Sequence, residues 1–429
     1  MKQIKPCIFL LLLLFCPIIS FADLTIQQCV EKAEKNYPLI RKYNILTALK
    51  DIELSDINKS WLPHVEPYAQ ATVQNVVPSY PDALKNVLQQ MGNDVRGLGK
   101  SQYKIGVDLS QTIWDGGASK IRRELADAQE EVNKNSIDVE LYAVRERVEN
   151  LYFAILLTEE QILQNGITYN LLIANKDKLS AMLRNGVAMR SDVEMVEAQA
   201  LTLKQNIAIA KSHVAGYRDM LALYVGESLD DVRLATPGVE MPKSDSIERP
   251  ELRLFDRRLK LNSLSDKLTD VALMPKIGFF AQAYYGYPGF DYFKSMMSRN
   301  LSFNVMAGVK ISWNIDSFYT KKNNYRKTAL NSENILADKD IFLFNVNLQT
   351  SSQKEKIEGL RNIMKDNSRI VDLRSGVRKA AESQLENGVI DATALLAKIS
   401  DENLAKLNAK FHEIQLIQEI YKLRYLLNL

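Results

Sequence analysis

Gly99-Lys100-Ser101 carries the end of a phosphate-binding loop, in which backbone amides and a lysine cradle phosphates and a hydroxyl holds the metal. The first glycine of that pattern falls at position 94, which is Asp94, and no strand leads directly into it, so the triplet reads as external loop. The histidines are His64, His213 and His412, and none has a second His or Cys at helical ligand spacing, so no zinc site is expected. Adjacent carboxylates at Glu130-Glu131 and Glu159-Glu160 are types that do acid-base work, but they fall in long helical stretches, where such pairs form the solvated face. Nothing marks a nucleophile with its base. The expectation is a chain with no catalytic residue, no metal and no cofactor.

Composition narrows the class further. The 429 residues are 46% hydrophobic and 25% charged, ample for a packed core, and 55 basic against 52 acidic residues leave no basic surplus to attract nucleic acid. Met1-Lys2-Gln3-Ile4-Lys5, an apolar run from Ile8 to Phe15 and Ser20-Phe21-Ala22 predict a secretory signal over residues 1–22, cut after Ala22. Phe15 is bulky where a lipoprotein signal wants a small residue before its cysteine, which argues against a lipid anchor on Cys16. Cys7 and Cys16 leave with the signal and Cys29 remains, so no disulfide framework forms within one mature chain. No later run reaches the roughly 18 apolar residues of a membrane helix. Residence in a membrane would therefore require a β-barrel.

The chain repeats itself. Asn185-Gly186-Val187 recurs as Asn387-Gly388-Val389, and Gly106-Val107-Asp108-Leu109-Ser110 recurs as Gly308-Val309-Lys310-Ile311-Ser312, both at an offset of 202. Pro38 to Pro63 and Pro250 to Pro275 keep one internal spacing of 25. Turn-forming residues from Thr236 to Ser246 mark a seam. The predicted organisation is a first repeat over 23–235, a linker over 236–248 and a second repeat over 249–429.

Each half reads in the same order. A helical segment ends at Pro63 or Pro275, because proline lacks the N–H and the free φ of a helix interior. Strands follow at about 64–77 and 103–114, then at 276–287 and 301–316. In the last, Phe303, Val305, Val309 and Ile311 alternate with Asn304, Gly308, Lys310 and Ser312. Apolar-out, polar-in strands of this length suit a water-filled membrane barrel, although a soluble sandwich with one wet face has the same alternation. Four strands do not close a barrel, for which about eight is the minimum, so other copies must complete the wall. Long helical hairpins follow at 118–226 and 319–427, with stripes such as Ile121, Leu125, Ala128, Val132 and Val144, Val148, Leu151, Ile155. At ~1.5 Å per residue, some 60 helical residues span about 90 Å.

The order helix, strand, strand, helical hairpin, repeated, resembles the TolC-like outer-membrane efflux proteins across essentially the whole mature chain. Specific matches are Asn36-Tyr37-Pro38, Leu62-Pro63, Met274-Pro275, the run Leu109 to Gly117 ending Trp114-Asp115-Gly116-Gly117, and the Gly186-Val187 and Gly388-Val389 turns. The resemblance implies an α+β membrane protein: a homotrimer in which each half gives two strands to a 12-strand outer-membrane barrel and a helical hairpin to a periplasmic α-barrel. It implies passage of solutes from an inner-membrane pump to the exterior, through a periplasmic adaptor that docks at the turns Gly186, Val187, Gly388 and Val389. It also implies a periplasmic gate near those turns. Asp192 matches the family's acidic position after the first turn, and Arg190 stands beside it. After the second turn the family's acidic positions hold Ala394 and Ala397, leaving Asp391 to supply charge from a shifted place. The second half ends its last strand Trp313-Asn314-Ile315-Asp316, without Asp-Gly-Gly, so that bend is expected to be built differently. The alternative function is a soluble periplasmic coiled-coil adaptor or scaffold, which leaves the strand pairs unexplained; a secreted enzyme has no constellation to stand on.

Overall fold

The computed structural model describes residues 23–92, 95, 97–230, 232–238 and 240–428. The signal expected over residues 1–22 lies outside them, as does Asp94. The chain runs α1 (Ile26–Asn36), α2 (Arg41–Lys59), β1 (His64–Val73), α3 (Asp82–Gln90), β2 (Ser101–Trp114), α4 (Ala118–Arg184) and α5 (Arg190–Val225). After the seam come α6 (Pro250–Ala272), β3 (Lys276–Tyr287), α7 (Tyr292–Met297), β4 (Ser302–Ser312), α8 (Asp316–Glu386) and α9 (Ala392–Leu427). Pro38 splits the first helical segment at a short 3-10 turn, a break the sequence reading did not include. The small helices α3 and α7 in the strand connections were not anticipated either. No described helix is long and apolar enough to cross a membrane.

Two compact units divide the chain, and each draws on both sequence halves. One comprises Tyr43–Ser136 and Arg253–Lys339; the other takes the residues up to Lys42, Ile137–Leu252 and those from Asp340 onward. Duplication at the sequence level is thus not separation in space, because strands pair with strands and hairpins with hairpins.

The first unit holds one antiparallel sheet in the order β1-β2-β3-β4. β1 stops at Val73, short of the expected 77, because its last partner is Ser101, the first residue of β2. β4 stops at Ser312 rather than 316: the Trp313 indole N–H donates to the Leu273 carbonyl at 2.9 Å, and Asn314 Oδ1 accepts from the Asp316 amide at 3.1 Å. That is the bend that lacks glycines. In the first half, Asp115 instead accepts from the Gly117 and Ser119 amides at 2.9 and 2.6 Å, capping α4, and Gly116 takes a left-handed φ of 72°. A Cβ on Gly116 would lie 2.6 Å from that of Met274, so only glycine lets the two strand-helix corners approach.

Glu130 and Glu131 are not a solvated face. Glu130 is buried on α4 and accepts from Lys134 at 2.8 Å and, across to α2, from Lys50 and Thr47 at 3.0 Å each. Glu131 pairs with Arg257 and Lys260 of α6 at 3.1 and 3.3 Å. The two carboxylates bind α4 to both helices that precede strands. Burial raises the Glu130 pKa, but its hydrogen bonds from Lys134, Lys50 and Thr47 together outweigh burial and hold it at about 2.

In the second unit, Thr25 caps α1 by accepting from the Gln28 amide, while Gln28 accepts from the Thr25 amide at 3.0 Å. Helix α1 buries Ile26, Cys29 and Ala33 in a cluster with Val148, Tyr152 and Leu221. Burial pushes the Cys29 thiol up to about 12, so it packs as a small apolar group. The Tyr152 hydroxyl lies 2.8 and 2.6 Å from the carbonyls of Leu24 and Ala235, and Leu24 bridges Leu234 in parallel, which fastens the strand before α1 to the seam. Arg218 reaches the carbonyls of Leu229 and Val232 and the carboxylate of Glu159, so Glu159 is engaged as well.

Glu149 is buried on α4, and burial lifts it to about 7 despite Arg145 at 3.0 Å. Because the fold raises this pKa, its destabilising effect is absent below the ordinary 4.5, grows as pH rises from there to about 7, and is constant above that. Glu149→Gln should flatten that slope in chemical denaturation, raising stability at pH 8 by an amount of order 2–3 kcal/mol and changing it little at pH 4. Glu130 has the opposite sign. Its stabilisation is present above 4.5 and lost as pH falls through about 2. Glu130→Gln should therefore lower neutral-pH stability by about 2 kcal/mol, a deficit that shrinks under strong acid.

Candidate functional site

Register assigns every strand side chain to a face, since directly paired residues share one. One face is built from rows such as Val65, Leu109, Ala281 and Ala307; then Pro67, Val107, Ala283 and Val305; then Ala69, Ile105, Tyr285 and Phe303. The other carries Glu66, Asp108, Gln282 and Met306, then Tyr68, Gly106, Tyr284 and Asn304, then Gln70, Lys104, Gly286 and Ser302. Gln282 Nε2 donates to Asp108 at 2.8 Å, and the Lys104 ammonium stands 4.7 Å over the Tyr284 ring. On the apolar face, Phe303 and Ile311 of β4 are each 70% exposed and Ile105 of β2 is 63% exposed. A row of such side chains in water is unfavourable, at roughly 25 cal/mol per Å² of apolar surface. Strands of 10 to 14 residues have the length to cross a hydrocarbon layer when tilted. Among the described residues, both β1 and β4 keep one edge without a partner strand.

The helix turns form a second feature, within the other unit. Gly186 and Gly388 adopt φ of 73° and 71°, and the amides after them, of Val187 and Val389, donate back to Met182 at 2.9 Å and Gln384 at 2.8 Å. This is the Schellman closure, which needs a left-handed residue. Val187 and Val389 are left exposed. Beneath the turns, Leu172 and Leu179 of α4, Val196 and Ala200 of α5, and Leu385 and Leu395 of the second hairpin belong to one buried cluster.

The three charged residues singled out by resemblance are not gathered here. Arg190 pairs with Glu194 at 2.7 Å on its own helix, Asp192 accepts from the Met189 amide at 2.9 Å, and Asp391 accepts from the Ala394 amide at 2.8 Å. Among the described residues none of the three is bonded to another. The two turns solve one capping problem in opposite ways: the acid sits at the third helical position in the first turn and at the cap in the second.

Solved structures carry the same architecture. VceC, an outer membrane protein of Vibrio cholerae, matches with a TM-score of 0.64 at 11% identity, over 94% of this chain and 94% of that one. The Campylobacter jejuni CmeC outer membrane channel matches with a TM-score of 0.63 at 13% identity, over 95% of this chain and 86% of that one. The Neisseria gonorrhoeae MtrE outer membrane channel gives 0.63 at 14%, over 94% and 88%. This chain has the fold of the outer-membrane channels. No protein-family model and no curated protein sequence matches it.

Within that channel fold, Gly99-Lys100-Ser101 is the connection into β2, where the Gly99 amide donates to the Tyr287 hydroxyl at 2.7 Å. His412 lies 3.1 Å from Asn367, and no group of three metal-ligating residues is found among the described residues. Sequence reasoning missed Arg249, whose guanidinium stacks 4.7 Å from the Tyr142 ring and 4.8 Å from the Tyr425 ring while pairing with Glu251. The only sequence signal was the Arg-Pro-Glu at the start of α6. Gly186→Ala and Gly388→Ala meet no neighbouring atom, so each should cost only the left-handed strain, about 1–2 kcal/mol. Hydrogen exchange should show the Val187 or Val389 amide losing protection in the matching variant, and the double variant should be additive.

Proposed function

We propose that this chain is the outer-membrane channel of a multi-component efflux or type I secretion system, a TolC-like duct that passes solutes from the periplasm to the exterior. The observation that carries the reading is the sheet: a continuous apolar face, an opposite face rich in polar groups and, among the described residues, two unpaired edges, four strands in all. In lipid an open edge leaves backbone groups without partners, so β4 of one copy must pair with β1 of the next. Three copies close a wall whose outer face meets outer-membrane lipid and whose inner face is wet. The helical hairpins extend into the periplasm, where the turns at Gly186, Val187, Gly388 and Val389 meet an adaptor protein and, through it, an inner-membrane pump.

Closure lies near those turns. Arg190, Asp192 and Asp391 hold their own helices in one chain, and in the trimer they stand where neighbouring hairpins meet. The gate then rests on cap geometry and packing as much as on charge.

Purified protein in detergent should sediment as a trimer and give discrete conductance steps in planar bilayers. Asp192→Ala, alone or with Arg190→Ala, should raise the open time several-fold. A monomer that stays soluble without detergent, and never conducts even as the double variant, would sink the proposal in favour of a soluble coiled-coil adaptor.

A further inference from the structure

At the end of the sheet where strands join helices lies a depression of ≈ 260 Å³, lined mostly by polar-face residues, with Gln111, Ile277 and Phe279 of the other face and Leu62 at its border. His64 and Lys276 are the first residues of β1 and β3, and Lys310 stands two residues before the end of β4. Register sets Lys276 opposite Ser312 and Lys310 opposite Gly278, so the lysines are diagonal neighbours on one face. No Asp or Glu lines the depression. Among the described residues neither lysine belongs to an ion pair, whereas Lys50, Lys134, Lys267 and Lys339 of the same unit each hold a carboxylate at 2.8–3.0 Å. The nearest row of acids along this face is Glu66 and Asp108, and Asp108 already accepts from Gln282. Two lysines at diagonal positions, with no acid in the lining, leave the depression net positive.

Its remaining lining is also specific. Hydroxyls come from Ser110, Thr112 and Ser312, all on the polar face. Phe280 is the aromatic side chain of that face nearest the lysines along β3 and β4, and its ring covers Gly308, where a Cβ would stand 2.9 Å from the ring. Glycine at 308 is what lets the ring lie against β4 beside the two lysines.

We propose that this depression is a binding subsite for an amphipathic organic anion. Lys276 and Lys310 hold its carboxylate, sulfonate or phosphate, the hydroxyls donate to the same group, and Phe280 carries its apolar body. The proposal rests on the channel reading only in placing the site on the wet inner wall. There it favours anionic amphiphiles among exported solutes.

The test uses full-length protein in lipid nanodiscs with naphthalene-1-sulfonate as probe, naphthalene-1-methylammonium as its cationic match and inorganic phosphate as competitor. Saturable sulfonate binding is expected, at least tenfold weaker in Lys276→Gln/Lys310→Gln and in Phe280→Ala, with no saturable binding of the ammonium compound. Equal binding of both probes, or binding unchanged in the double-lysine variant, overturns the subsite. Phosphate competing as well as the sulfonate overturns its amphipathic character. The two lysines are exposed, so their variants should keep the oligomeric state and melting temperature of the parent. Conductance measured on the same preparations separates the two readings: conduction without charge-dependent binding removes the subsite and leaves the channel, and binding without conduction does the reverse.

Discussion

An unpaired strand edge beside an exposed apolar face is the constraint from which the rest of this protein follows. Water satisfies the edges of a soluble sheet but penalises an apolar face; lipid welcomes the face and penalises the edges. Neither solvent suits one copy of this four-stranded sheet. Closure with further copies in a membrane, as proposed, would satisfy both demands together.

The helices are organised to present that sheet. Helices α2 and α6 each lead into a strand and α4 leaves one, and Glu130 and Glu131 bind α4 to both of the others. Such adjacent carboxylates resemble surface decoration in a sequence, because their partners lie 80 to 130 residues away. Elsewhere α1 and the seam are closed on the hairpins by Tyr152 and Arg218, through carbonyls rather than side chains. A carbonyl acceptor leaves no residue-type signature.

The turns show how chemistry is conserved while residues move. Both need one left-handed residue and one satisfied helix start, and both have glycine for the first. For the second, Asp192 and Asp391 occupy different positions and satisfy the same class of orphan amide. Each turn thus keeps one acid at its helix start, at the third helical position in the first and at the cap in the second.

The sequence alone determined the long helices and strands and the two faces of each strand, through alternation and proline or glycine placement, which are local properties of the backbone, and its recurring motifs determined the duplication. The Gly186 and Gly388 turns were legible for the same reason. Only the tertiary structure decided that β2 pairs with β3 across the halves, that each compact unit mixes both halves, that Glu130 is a buried anchor and that Arg249 is wedged between two tyrosine rings. It also decided that Arg190, Asp192 and Asp391 serve their own helices within one chain, and that Lys276, Lys310 and Phe280 line one depression at the helix end of the sheet. Each of these depends on which distant segment arrives alongside, and burial, partner choice and electrostatic compensation are settled by that arrival.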